Sequence, residues 1–436
     1  MQIDTLTRCA AGILVPAAAA ASTLTGPAQV HHDVSPAPVQ AAAAKVGFIA
    51  NGYGSYVFND KTTLVSGPTA YSVVSCGAPP GTVQTNTDSA ITLPGGLGTV
   101  GAQTTRAEAI ESGSSRTSLA TSETNGISLL GGLVTSGVIS TSTRTTFDGS
   151  SFTSEQSTSV ANLRILGASI GVHPKPNTRI DLTLPLVGNI GYVEINRQVT
   201  TSVSGGSDST TTGLHVVLLP NNPFVPGGGL NLWVANSRAA LTPPITSALG
   251  GAGYATQISL ADGTVRSGPT ALAYIPCTGS RQTNTVASLQ VPGDIVTGGA
   301  ATTTAVASAK GTTASAQVTD TIASLSALDG AITVDGVKAV ATATRMGDGP
   351  LELSDAGSQF ANLVIGGRAI GVSVAPNTTI NVLGGAAQVT LHKVVKTPTM
   401  ILVTMIEIVV KDETLGLPVG SVVQIGTSYA SISPAS

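Results

Sequence analysis

Along much of the chain, apolar and β-branched residues alternate with Ser and Thr, the period-two pattern of strands with two unlike faces. Gly131–Arg144 (GGLVTSGVISTSTR) shows it, and Asp335–Arg345 (DGVKAVATATR) ends on the same Thr-x-Thr-Arg signature. Thr at alternate positions is expected on a solvated sheet face, and β-branched side chains favour strands. Pro176–Thr178 and Pro376–Thr378 (both PNT) read as turns that lead into strands at Ile180 and Ile380. The Ala-rich run Ala300–Ala309 holds too many Thr residues and too few charged i,i+4 pairs for a helix. An all-β fold is therefore predicted, sandwich- or prism-like in packing. A parallel β-solenoid is the alternative, because the strands are short and punctuated by Gly.

The pattern is written twice. Gly52–Ala70 aligns without a gap on Gly253–Ala271, with 8 of 19 positions identical. Ala161–Ile180 aligns on Ala361–Ile380, with 12 of 20 identical. The offsets are 201 and 200 residues. A unit of about two hundred residues is a domain, since solenoid repeats run about 20–50. The expected units are 46–236 and 252–436, joined by a Pro/Gly-containing linker at 237–251. Each unit serves as a control for the other, because a group essential to the unit should occur in both.

Composition narrows the class. Only 10% of residues are charged, 42% are hydrophobic, and the net charge is −3. Disorder would need low hydrophobicity and high net charge. No basic surface points to nucleic acid. Met1–Arg8 followed by the apolar run Cys9–Thr25, with Gly26 and Ala28 as small residues at −3 and −1, reads as a signal peptide (1–28) cleaved after Ala28. A flexible Pro/Ala-rich lead-in is expected at 29–45. The most apolar late run, Met400–Val410, has 11 residues and includes Glu407, too short for a spanning helix of about 20. Secretion without a transmembrane segment or sorting motif is the expectation.

Motifs that could carry chemistry are weak when the copies are compared. Gly167-Ala-Ser-Ile-Gly171 fits a nucleophile elbow around Ser169, but its counterpart is Gly367-Arg-Ala-Ile-Gly371, with Ala369 in place of the serine. Gly96–Gly101 fits GxGxxG without a following helix and reads as a turn. None of the histidines His31, His32, His173, His215 and His392 recurs at a matched position. The acidic stretch 348–355 lacks the ligand spacing of a calcium loop. No catalytic, cofactor or metal site is expected. Trp233 is the only tryptophan, and Tyr53 and Tyr254 form the one repeated aromatic pair, expected in core or interface. Cys76 and Cys277 lie 201 residues apart, the offset of the flanking SGPTA segments. In an exported chain they could pair as a disulfide or stay as two buried thiols, and geometry decides.

The recurring GPTA…Cys segment, the Thr/Ser/Val strands and the ANLxIxGxxIGVxxxPNTxI segment resemble the choice-of-anchor P family of secreted actinobacterial surface proteins. The resemblance implies export. It leaves biochemical role open, and this chain ends without a recognisable anchor. The expected function is that of an exported, non-enzymatic structural or adhesive protein. Cell wall, other surface proteins or further copies of itself are its expected partners. A module binding cell-wall glycan is the alternative, and a hydrolase is less favoured.

Overall fold

The computed structural model describes residues 45–434 except 60–67, 77, 89, 94–95, 221, 225–228, 246, 262–264, 268, 276–280, 287, 291–294, 311 and 373. Every ladder among these residues is antiparallel. The all-β expectation holds, and a parallel solenoid does not describe the chain.

In the first half, one sheet has the order Thr178–Leu184, Gly188–Val203, Gly206–Leu218, Leu230–Ile245, Lys45–Asn59, Ser72–Val74. In the second half a sheet repeats that order with Thr378–Val382, Ala387–Lys396, Met400–Val410, Val422–Pro434, Ser247–Ser259, Ala273–Ile275. We call these the front sheets. The intervening segments build the layer behind each. In the first half this back layer is one sheet around Gln103–Ser112, Ser115–Leu129 and Val134–Phe147. In the second it splits into two sheets, around Thr313–Ile322 and around Ile332–Val334. Irregularities recur at matched ladder positions. Positive φ occurs at Ala70 and Ala271, Leu130 and Leu328, Asn162 and Asn362, Asn177 and Asn377, Asn196 and His392, and Ala235 and Gly426. Such non-Gly positions cost about 1–3 kcal/mol each unless the surroundings impose them.

The halves differ in what fills the space between layers. Thr141, Thr143 and Thr145 point inward and are buried, whereas Ser140, Ser142 and Arg144 face outward. The expectation that the threonine stripe would be solvated is thus corrected. Thr143 Oγ1 donates to Thr211 Oγ1 at 2.7 Å and lies 2.9 Å from Ser237 Oγ, while Thr145 Oγ1 donates to the Ala239 carbonyl at 2.8 Å. Ser118 Oγ donates to the Ala240 carbonyl at 2.8 Å. These bonds cross between layers and satisfy hydroxyls that would cost about 1–3 kcal/mol each if buried unpaired. They separate an apolar cluster around Leu129, Leu214 and Leu232 from another around Phe48, Ala120 and Leu241. In the second half the ladder puts Ala339, Ala341 and Ala343 at the three threonine positions, and the core is one continuous cluster.

Two further readings change. Arg345 pairs with Ala314 where the first half pairs Phe147 with Arg116, so the two Thr-x-Thr-Arg signatures sit three residues out of register. An odd shift reverses faces, so Thr342 and Thr344 face outward. The expected linker 237–251 is largely strand. Its first part pairs within Leu230–Ile245 and its last part within Ser247–Ser259, leaving only position 246 between them, outside the described residues. The apolar run Met400–Val410 is a central strand, and no helix among the described residues is long and apolar enough to cross a membrane.

Candidate functional site

The outward face of the first front sheet carries the site. Trp233 sits opposite Tyr56 on one neighbouring strand and His215 on the other. Cross-strand pairing brings their rings together: Tyr56–Trp233 centroids are 5.7 Å apart and His215–Trp233 5.8 Å, the latter edge to face. Tyr53 stacks on Trp233 at 6.5 Å and 29°, and meets Tyr56 edge-on at 5.9 Å. Behind them, His215 Nε2 lies 2.9 Å from Asn231 Oδ1 and Nδ1 lies 3.3 Å from Glu194, which also pairs with Arg197 at 3.3 Å. These contacts fix the ring that supports the indole.

Beside this aromatic cluster the two halves meet around a cavity of about 320 Å³. Tyr53, Tyr56, Trp233, Arg197 and Asn51 line it from the first half, and Leu272, Tyr274 and Asn284 from the second. Arg238 donates to Asp208 at 2.9 and 2.6 Å and reaches across to the Tyr274 hydroxyl at 2.9 Å, so one guanidinium ties the halves together at the rim. Asn236 Nδ2 donates to Thr212 Oγ1 at 2.8 Å. Burial raises the phenols of Tyr53, Tyr56 and Tyr71 above their ordinary range, so all three are neutral hydroxyls at physiological pH.

Two donors in this wall have no protein acceptor: Trp233 Nε1 and Asn51 Nδ2 are both buried and unpartnered. Buried polar atoms are nearly always satisfied by protein or water. A cavity with aromatic faces, spare N–H donors and two arginines ion-paired with Glu194 and Asp208 can hold a small uncharged molecule that has a flat or puckered ring and several acceptor oxygens.

The matched face of the second half is built differently. Its ladder places Gln257 where Tyr56 stands, Gln424 where Trp233 stands and Glu407 where His215 stands. Tyr254 Oη donates to Gln424 Oε1 at 2.7 Å, and Lys393 Nζ bonds both Glu407 oxygens at 2.7 and 2.8 Å. On that face these four polar side chains are bonded to one another.

The other sequence candidates stay apart from this cavity. Ser169 is exposed on the two-residue strand Ala168–Ser169, which pairs with Arg164–Ile165 in a tight hairpin; no strand-to-helix elbow forms there. The Gly96–Gly101 run contains the short strand Gly98–Val100, which pairs with Ile91–Leu93, and Gly96 and Gly98 are at positive φ. His392 faces Asp355 at 3.1 Å, and no group of three or more metal-ligating side chains converges among the described residues. His31 and His32 lie outside the described residues. Cys76 is buried and disulfide-bonded; Cys277, the candidate partner, lies outside the described residues.

The sequence marks Trp233 only as the sole tryptophan and predicts Tyr53 and Tyr254 in core or interface, so it does not single out this wall. A usable signal existed: Tyr53, Tyr56 and Tyr71 fall close together, whereas the aligned stretch of the second unit keeps only Tyr254. No family model, curated protein or solved structure matches this chain.

Proposed function

We propose that the chain is an exported, non-enzymatic adhesive protein, descended from a duplicated β-rich unit, that binds a saccharide in the cavity between its halves. The observation that carries this reading is the aromatic wall of Tyr53, Tyr56 and Trp233 with its two unpartnered buried donors, Trp233 Nε1 and Asn51 Nδ2. Sugar rings offer an apolar C–H face to aromatic side chains and acceptor oxygens to N–H donors, which is the chemistry this wall supplies. The matched Gln257 and Gln424 of the second half support a division of labour, in which one copy binds and the other scaffolds. Low charge, the export-like N-terminus and the resemblance to secreted surface proteins support a ligand outside the cell, such as wall glycan. The resemblance motifs ANL and PNT lie at hairpins and turns, away from the cavity, and so bear on fold more than on ligand.

Because Trp233 is the only tryptophan, its fluorescence reports binding directly. Titration with soluble cell-wall glycan fragments should quench or shift that emission saturably, and calorimetry should give one site per chain. Saturable binding that persists unchanged in Trp233→Ala, or no binding to any neutral glycan, overturns the reading.

A further inference from the structure

A second constellation lies between the layers of the first half. Thr69 is hooked onto the strand Lys45–Asn59: Gly54 N donates to its carbonyl at 2.8 Å, and its own N donates to the Ser55 carbonyl at 2.9 Å. Its hydroxyl is buried. Ser55 N donates to Thr69 Oγ1 at 2.8 Å, Ser55 Oγ lies 2.8 Å away, and Oγ1 lies 2.5 Å from the side-chain carbonyl oxygen of Gln103. Gln103 opens the back-layer strand Gln103–Ser112 and is 1% exposed. Its Nε2 is buried with no hydrogen-bond partner. Directly opposite Gln103 in the ladder stands Asp88, also buried.

The room for this arrangement is specific. A Cβ on Gly54 would fall 1.6 Å from Gln103 Oε1. The second half keeps the hydroxyl pair, with Thr256 and Thr270 oxygens 2.7 Å apart. At the ladder positions of Gly54, Gln103 and Asp88, however, it carries Ala255, Ala301 and Val286. The amide, the acid and the glycine that admits them are absent together. The hydroxyl pair is therefore architecture common to both halves, and the Gly–Gln–Asp set is an addition to one.

We propose that Thr69 and Gln103 condense to an intramolecular ester, a covalent staple between the two layers of the first half. The hydroxyl oxygen attacks Gln103 Cδ, the Cδ–Nε2 bond breaks, and the hydroxyl proton leaves with the amide nitrogen as ammonia. Asp88 carries that proton from oxygen to nitrogen. Atoms balance without oxidant or cofactor: alcohol plus primary amide gives ester plus ammonia. For a carbonyl angle of about 120°, an Oγ1···Oε1 separation of 2.5 Å corresponds to Oγ1 roughly 3.3 Å from Cδ, a near-attack distance. Burial excludes the water that would hydrolyse the product.

Mass spectrometry of the purified full chain, reduced and denatured, tests this. The expected mass lies one ammonia, about 17 Da, below the sequence value. Cleavage before aspartates should release 60–87 covalently joined to 88–147, and alkaline hydroxylamine should separate them. Thr69→Ala and Gln103→Ala should each restore the full sequence mass, and Asp88→Asn should leave the chain predominantly unlinked. A wild-type mass at the sequence value overturns the proposal. So does a deficit that maps to a cyclised N-terminal Gln29, with 60–87 and 88–147 released separately. The wild-type digest decides the matter even where a variant fails to fold.

Discussion

Asp320 offers a quantitative test of the packing between layers. It is fully buried in the second half, accepts one hydrogen bond from Thr303 Oγ1 at 2.6 Å, and leaves Oδ2 buried without a partner. The matched first-half residue is Ser122, whose hydroxyl donates to the Tyr53 carbonyl at 2.9 Å. Desolvation pushes the Asp320 carboxyl up to about 7, outweighing the Thr303 bond that opposes it. The folded state therefore holds this proton more tightly than the unfolded chain does, where the ordinary value is 3.8. Stability from this group is complete below about pH 4, falls as pH rises, and levels off above about pH 7. A difference of about three pH units corresponds to about 4 kcal/mol lost across that window. Asp320→Asn keeps the shape and removes the ionisation. At pH 8 it should raise the melting temperature of the second half by about 8–16 °C, and at pH 4 it should change little. Thermal unfolding followed by circular dichroism from pH 4 to 8 gives the comparison, and subtracting the variant from the wild type cancels other titrating groups. A wild-type minus variant difference that is flat across this range would refute the reasoning, as would a variant less stable than wild type at pH 8.

Three other perturbations have defined outcomes. Trp233→Ala should weaken glycan binding at least tenfold by calorimetry while leaving the circular dichroism spectrum intact, because the indole lies on an outer face. Thr143→Ala should cost about 2–3 kcal/mol in denaturant unfolding, since the Thr211 and Ser237 hydroxyls lose their buried partner. At the matched position Ala341, Val403 replaces Thr211, and the hydroxyl of Ser428, at the Ser237 position, donates to the Ala339 carbonyl, so no hydroxyl depends on residue 341. Gly54→Ala should cost about 1–3 kcal/mol by overpacking against Gln103. Adding Gln103→Ala should recover at least 1 kcal/mol of that loss, a coupling readable in a double-mutant cycle.

Alternation of apolar with β-branched and hydroxyl residues was enough to specify strands throughout, because the pattern depends only on the two-residue period of extended chain. The PNT turns were legible for the same local reason: Pro sets φ and Asn tolerates positive φ, as Asn177 and Asn377 do at 57° and 63°. Alignment of the two copies also sets Ala369 opposite Ser169. What the sequence could not supply was which side of each strand faces inward. A Thr stripe suits water or a layer of partner hydroxyls equally well, and only the opposing Thr211, Ser237 and Ala239 made the inside possible for Thr143 and Thr145. The cavity was hidden for a related reason. The Tyr53–Tyr56 pair, His215 and Trp233 lie on three strands far apart in sequence and are adjacent only through strand pairing, and the cavity's opposite wall belongs to the other half. Local periodicity fixes an element's type, but register and the contact between halves decide which side chains meet.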